Sequence, residues 1–294
     1  MDALNYAQAY AQALAQAYPY VLHFAALRST ENDARYKWTG ANTIQIPSLS
    51  TTGRVDADRD TIKTASRNYN NAWEPKTLTN HRKWSTLVHP MDIDETNQVA
   101  SIQNITKVFN EEQKFPEMDA YLVSKVYADW VEAGGAADTT ALTVDNILTI
   151  FDNWMAAMDD ANVPATGRLL YATPAIKTIL MKAKELSRFI QNGESAINRA
   201  VRSLDEVTIE PVPSSLMKTA YDFTEGYAPG AGAKQINMML VHPSAVITPE
   251  KYAFAQLDAP SAGSEGKYVY FEESYDDVFV LNKRKAAIAF NIEA

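Results

Sequence analysis

The sequence contains no cysteine, which excludes disulfides and thiolate metal sites and fits a reducing compartment or a particle indifferent to redox state. No window approaches the apolar length of a membrane span, and no basic, apolar, small-residue series reads as a signal peptide. The expectation is a soluble, unexported chain with no membrane partner. The four histidines, His23, His81, His89 and His242, lie far apart with no metal-ligand spacing. There is no G-x-S-x-G elbow, and the glycines of Gly226–Lys234 (GYAPGAGAK) lack the Gly-Lys-Ser/Thr ending that phosphate cradling requires. A net charge of −9 without a basic stripe argues against a dedicated nucleic-acid surface, though not against passive contact with packaged polyanion. No catalytic, cofactor-binding or metal-binding residue is assigned, and no enzymatic activity is expected.

What is present begins with 294 residues, 46% hydrophobic and 21% charged, enough for one extended or two compact domains. The organising stretch is Trp84–Gly135. An extended lead-in (WSTLVHPMDIDE) precedes a long helical segment in which Val99, Ile102, Ile105 and Phe109, then Met118, Tyr121, Leu122, Val126 and Trp130, recur at helical spacing. Pro116 predicts a kink or restart there, with Phe115 outside helical geometry. Gly134 and Gly135 stop the helix. Such a rod would span roughly 50–60 Å, long enough to scaffold separate sub-domains.

Ahead of the rod, Asp2–Leu27 is rich in Ala, Gln and Tyr. Tyr6, Tyr10, Leu14 and Tyr18 share a helical face, suggesting either an arm that docks its aromatic side or a plain surface helix. His23 reads as a packed ring. From Arg35 to Pro90 the chain turns polar and extended, with strand-like alternation in Thr43–Pro47 and Lys76–Asn80. The intervening segment is too long for an ordinary turn and reads as a projecting two-stranded loop, a form that needs outside contacts to be stable. Its tip mixes Arg54, Asp56, Asp58, Arg59, Asp60, Lys63 and Arg67, suited to intermolecular ion pairs or simply to a solvated loop. Lys63 is the one lysine near the tip, with no partner fixed for a covalent cross-link.

After Gly135, helices and strands alternate. Thr143 caps a predicted helix presenting Ile147, Phe151, Trp154, Met155 and Met158. Arg168–Ala172 leads through Thr173–Pro174 into a helix presenting Ile176, Ile179, Leu180 and Ala183, and Gln235–Val241 repeats that grammar through His242–Pro243. With strands predicted at Glu206–Pro211, Lys251–Asp258, Lys267–Ser274 and Ala286–Asn291, and a mobile loop at Thr224–Lys234, the expectation is a mixed sheet flanked by helices. Acidic clusters at Asp92/Asp94/Glu95, Asp159/Asp160, Glu272/Glu273 and Asp276/Asp277 read as structural, the first at the start of the rod where carboxylates favour the helix dipole.

The order of parts, with the segments HRKWSTLVHPMDIDET, KFPEMDAYLVSKVYADW, GRLLYATPAIKTIL and YVYFEESYDDVFVLNKRKAAIAF, resembles the major capsid protein of tailed bacteriophages, the Hong Kong 97-type fold. The resemblance covers essentially the whole chain. It implies an α+β fold with a long kinked spine helix: residues 1–35 an N-terminal arm, 36–90 an extended β-hairpin loop, 91–135 with 275–294 a peripheral domain, and 136–274 a mixed α/β axial domain.

The function implied is a structural coat protein, many copies of which form hexamers and pentamers of an icosahedral phage head around double-stranded DNA, in the virion after assembly in the host cytoplasm. A scaffolding protein, if needed, would be separate, and a portal is a further expected partner. Assembly contacts are expected from Trp38, Ile44, Ile46, Trp73 and the charged tip, with Tyr6 and Tyr10 on the arm. An encapsulin-like nanocompartment shell shares the fold, and an α/β hydrolase or ligand-binding domain is the reading from a different class.

Overall fold

The structure is a computed structural model that describes residues 20–28, 36–54, 56, 67–96, 101–183 and 203–294. In chain order its elements are α1 (Ala25–Arg28), β1 (Lys37–Trp38), β2 (Thr43–Thr51), β3 (Tyr69–Thr77), β4 (Asn80–Val88), α2 (Pro90–Glu95), α3 (Ile102–Phe109), a π-helical turn (Asn110–Lys114) and α4 (Phe115–Glu132). There follow α5 (Ile147–Asp160), β5 (Leu169–Ala172), α6 (Pro174–Lys182), β6 (Ser203–Leu204), β7 (Val207–Pro211), β8 (Tyr221–Asp222), β9 (Ala228–Pro229) and β10 (Ile236–Val241). The chain closes with β11 (Val246–Ile247), β12 (Glu250–Asp258), β13 (Tyr268–Asp276), β14 (Phe279–Val280) and β15 (Ile288–Ile292).

The body is built on a sheet of order β15-β10-β5-β7-β6, mixed because β5 and β7 run parallel while the other pairs are antiparallel. Side-chain alternation along its strands splits the core in two. Tyr171, Met239 and Val241 face α4, where Leu122, Val123, Val126 and Trp130 await them. Leu170, Ala172, Met238 and Leu240 face the other way, onto Ile147, Phe151 and Met158 of α5 and Ile176 and Leu180 of α6. The near-continuous apolar run INMMLV of β10 is what a strand covered on both faces requires. The last strand returns to the rod as expected, with the Phe290 ring 5.2 Å from those of Trp130 and Tyr127.

The rod departs from expectation in three ways. Pro90–Glu95 forms its own short helix, closed by Thr96, whose hydroxyl donates to Asp92 O (2.6 Å). Ser101, in extended backbone, starts α3 afresh. The rod therefore spans Ile102 to Glu132, roughly 45 Å at 1.5 Å per residue rather than 50–60 Å. Asp92, Asp94 and Glu95 consequently sit on α2, not at the start of the rod. Nor does Pro116 break the helix: Phe115 keeps helical geometry (φ −67°, ψ −42°) and Pro116 lies in the first turn of α4. The five-residue π turn immediately upstream widens the backbone where the proline ring would otherwise crowd a carbonyl.

Two smaller readings also change. Asn146, not Thr143, is the cap residue of α5, and Thr143 instead donates its N–H to Asn146 Oδ1 (2.7 Å). Residues 224–234, expected as a mobile loop, hold β9, which pairs back on β8, and Asp222 Oδ1 accepts from both Thr224 N and Thr224 Oγ1.

The second architectural unit is a pair of β sheets off the body. One is the ribbon β1-β2-β3, in register from Thr43↔Thr77 out to Thr51↔Tyr69. The other is the sheet β12-β13-β4, three nine-residue strands crossing the rod. The predicted strand Lys76–Asn80 is interrupted at Leu78–Thr79: Leu78 drops into a cluster with Ile44, Ile247 and Phe279, and the chain leaves the ribbon to begin β4.

Candidate assembly surfaces

Antiparallel pairing makes the ribbon rigid, but only its base is held by apolar contact. Ile44 is fully buried against Leu78, Ile247 and Phe279 of its own chain, so it anchors the ribbon rather than offering a contact elsewhere. Trp38 is half-buried, edge-on to Tyr36 and capped by Lys251 Nζ 4.4 Å from its ring. Ile46 is partly buried and lines a cleft of about 240 Å³ with Tyr36, Leu49, Ile247 and Leu281. Beyond this base, Leu49, Tyr69 and Trp73 are 61%, 56% and 48% exposed. Polar contacts from the body reach further along it: Lys283 Nζ donates to Leu49 O (2.6 Å), and Asn282 Nδ2 donates to Glu74 Oε2 (3.0 Å).

Of the tip residues, Arg54 and Asp56 are exposed, and Arg67 lies with its guanidinium 4.8 Å from the Tyr69 ring. Asp58, Arg59, Asp60 and Lys63, and Tyr6 and Tyr10 of the arm, lie outside the described residues.

The sheet β12-β13-β4 presents two unlike faces. Cross-strand register puts Asn80, Arg82, Trp84 and Thr86 on the side of the rod, together with Ser274, Glu272, Ala253 and Ala255. There Trp84 stacks on Phe109 (3.8 Å, 7°), Arg82 Nε meets Glu117 Oε1 at 2.6 Å, and Lys114 Nζ meets Glu272 Oε2 at 3.1 Å. Between rod and sheet runs an open groove of about 900 Å³ whose walls include Trp84, Phe109, Ala253 and Ala255. The opposite face carries Tyr252, Phe254, Phe271, Val269 and Leu87. The Phe254 and Phe271 rings are 6.2 Å apart, and Leu87 is 60% exposed. Sequence reasoning identified β12 as a strand but not its openness, because KYAFAQL does not alternate polar with apolar.

Where rod, sheet and ribbon meet, the carboxylates are saturated by donors of the same chain. Asp277 accepts from Thr79 N (2.7 Å), Thr79 Oγ1 (3.1 Å), Tyr121 OH (2.7 Å) and Val278 N (2.7 Å), and is fully buried. Its neighbour Asp276 faces Arg28 at 3.7 Å and accepts from Asn80 Nδ2 at 3.1 Å. Asp119 accepts from Tyr20 OH (2.6 Å) and His23 N (2.9 Å), fixing the root of the arm, and the His23 ring packs edge-on to Tyr20.

Burial pushes the carboxyls of Asp276 and Glu117 above their usual range, against the pull of Arg28 and Arg82 respectively. Burial likewise raises Asp129 despite Lys125. Such an arrangement fixes backbone segments; every oxygen of Asp277 is engaged, and its partners are the root of the ribbon and the rod. His242 caps the turn after β10, its Nδ1 accepting from Ser244 N at 3.2 Å.

No family model matches the sequence, and no curated protein matches it. The fold, however, is that of solved phage capsids. The chain is similar to the mature capsid of bacteriophage PhiM1 (12% identity over 86% of this chain and 82% of that one, TM-score 0.66) and to the capsid of cyanophage P-SCSP1u (13%, 95% and 90%, TM-score 0.62). It is also similar to Mycobacterium phage Che8 (12%, 93% and 92%, TM-score 0.58). Helices and strands, rod and ribbon thus assemble into the Hong Kong 97-type α+β fold.

Proposed function

We propose that this chain is the major capsid protein of a tailed bacteriophage, a structural coat protein that self-assembles into the icosahedral head of the virion. The observation that carries the reading is a ribbon whose apolar anchor, among the described residues, lies at its base, exposing Leu49, Tyr69 and Trp73, on a body with the fold of phage capsids. An isolated ribbon of this kind is marginal in water, and identical neighbours supply the missing contacts. The domain division follows: 1–35 the arm, 36–90 the extended loop, 91–135 with 275–294 the peripheral domain, and 136–274 the axial domain of hexamers and pentamers.

Individual contacts in such a lattice are weak, and symmetric closure sums them while misplaced subunits can leave. Trp38, Ile44 and Ile46 serve the ribbon's base, Trp73 its reach, and Arg54, Asp56 and Arg67 its register. The carboxylates are engaged in structural bonds, in keeping with a non-enzymatic role. Packaged double-stranded DNA is met through non-specific, counterion-mediated contact, since a net charge of −9 without a basic stripe argues against a base-reading surface. A scaffolding protein and a portal are further partners such a shell takes, with assembly in the host cytoplasm. Negative-stain electron microscopy of the purified chain tests this: closed shells are expected, and molecules that stay single even with a scaffold partner supplied would overturn it.

A further inference from the structure

Two strands end in open edges that ordinary protection leaves uncovered. β12 is an edge of its sheet, all nine of its residues are exposed, and the six from Tyr252 to Leu257 carry no charge. Long uncharged edges of this kind pair with whatever strand they meet unless something covers them. β3 is the outer edge of the ribbon, and among the described residues β2 is the one strand paired with it.

Backbone direction can be read at both edges. Thr52 N donates to Asn68 O and Leu78 N to Asn42 O, so alternation along the ladder turns the even-numbered residues of β3 toward β2. Tyr69, Asn71 and Trp73 then direct their N–H and C=O groups outward, and Pro75 is the outward position without a donor. In the other sheet Asp277 N donates to Pro249 O, which turns the odd-numbered residues of β13 toward β12. Their partners across the register are the even-numbered residues of β12, leaving Ala253, Ala255 and Leu257 with outward groups.

We infer that the open edge of β12 is completed by β3 from a second copy of this chain, antiparallel, with Ala253 opposite Trp73, Ala255 opposite Asn71 and Leu257 opposite Tyr69. This rests on the shell reading and names the counter-surface that reading requires. The register is selected by three observations. It matches outward donors to outward acceptors at Ala253–Trp73 and Ala255–Asn71, and at Leu257–Tyr69 the Tyr69 carbonyl also accepts from Arg67 Nε of its own chain (3.1 Å). It brings Glu74 and Lys76 beside Lys251 and Glu250, pairing opposite charges. It also places the two large rings opposite Ala253 and Leu257, on the side of β12 that faces the rod, where the small side chains of Ala253 and Ala255 leave the groove open beside Trp84 and Phe109.

Slipping by two residues one way sets Glu74 against Glu250. Slipping the other way sets Pro75, with no N–H, opposite Ala253 and so spoils one of the three donor–acceptor pairs. A slip of one residue turns the outward groups of one strand away from those of the other. Pro75 at the end of the ladder, beside the bulge between Glu250 and Tyr252, instead terminates the pairing.

The absence of cysteine makes the test direct. With Gln256→Cys and Asn70→Cys in one chain, a facing non-hydrogen-bonded pair, oxidation of assembled particles should give a ladder of covalent multimers on a denaturing gel. Leu257→Cys with Asn70→Cys, one residue out of register, should give about tenfold less. Particles without the ladder, or equal ladders from both pairs, overturn the inference while leaving the shell reading intact. Absence of particles from the unsubstituted chain overturns both. As a second measurement, Ala255→Pro removes one outward donor from an edge strand. It should leave the midpoint of unfolding of the unassembled chain unchanged and reduce particle yield at least about tenfold; undiminished yield overturns the inference.

Discussion

The ribbon and the carboxylate junction at its root lie next to each other and are built on opposite terms. Among the described residues the ribbon leaves apolar side chains exposed on its outer half, where Lys283 ties it to its own body by a polar contact at Leu49 O. The junction encloses charged groups and satisfies Asp277 with four donors from three separate segments. Residues at the root hold the monomer together, whereas residues along the ribbon contribute almost nothing to it. Stability and assembly are therefore separable by mutation.

The sharpest break in that comparison is Asp277→Ala, which takes the acceptor from the buried Val278 N–H and the half-buried Tyr121 hydroxyl as well as from Thr79, and should cost about 3–5 kcal/mol. Chemical denaturation of the unassembled chain reads it as a lower midpoint at unchanged slope. Gly135→Ala comes next. A Cβ there would sit 2.3 Å from the Trp130 ring, so the ring that closes the rod against Phe290 must move, at about 1–3 kcal/mol by the same measurement. Tyr171→Phe goes the other way: its buried hydroxyl has no partner among the described residues, and removing it should raise stability by about 1 kcal/mol, seen as a higher melting temperature.

The pH profile tests the junction's charges. Asp276, Glu117 and Asp129 have folded pKa values above their unfolded ones, so folding takes up protons. Their charge costs stability at neutral pH. That cost should fade as pH drops through the raised values and level off below the ordinary carboxylate range, and Asp276→Asn should flatten the slope of midpoint against pH. Smallest on the monomer is Trp73→Ala, expected within about 0.5 kcal/mol of the parent in denaturation. The same substitution should sharply lower particle yield, and a large loss of monomer stability would erase the contrast between the two regions.

Much of this was legible in the sequence. Alternation in Thr43–Pro47 and the helical stripes around Ile102–Phe109 and Met118–Trp130 located the ribbon and the rod, because side-chain periodicity records which face is covered. The π turn was not legible, since one wider turn changes the spacing of too few residues to register. Neither was the junction: Thr79 and Asp277 are 198 positions apart, and nothing local marks either as the other's partner. Among the site residues, Trp73 and Ile44 look alike as strand hydrophobics, yet one faces outward and the other locks the base. Burial of a strand residue depends on which neighbour arrives, which the strand's own pattern does not contain.

Asp276 and Asp277 are consecutive, and each grips a different protrusion: the first holds Arg28 at the end of the arm's root, the second Thr79 at the ribbon's root. One peptide link thus serves as a shared hinge pin. A pull that tilts the ribbon turns the same pin that holds Arg28, so the ribbon and the segment 20–28 cannot move independently.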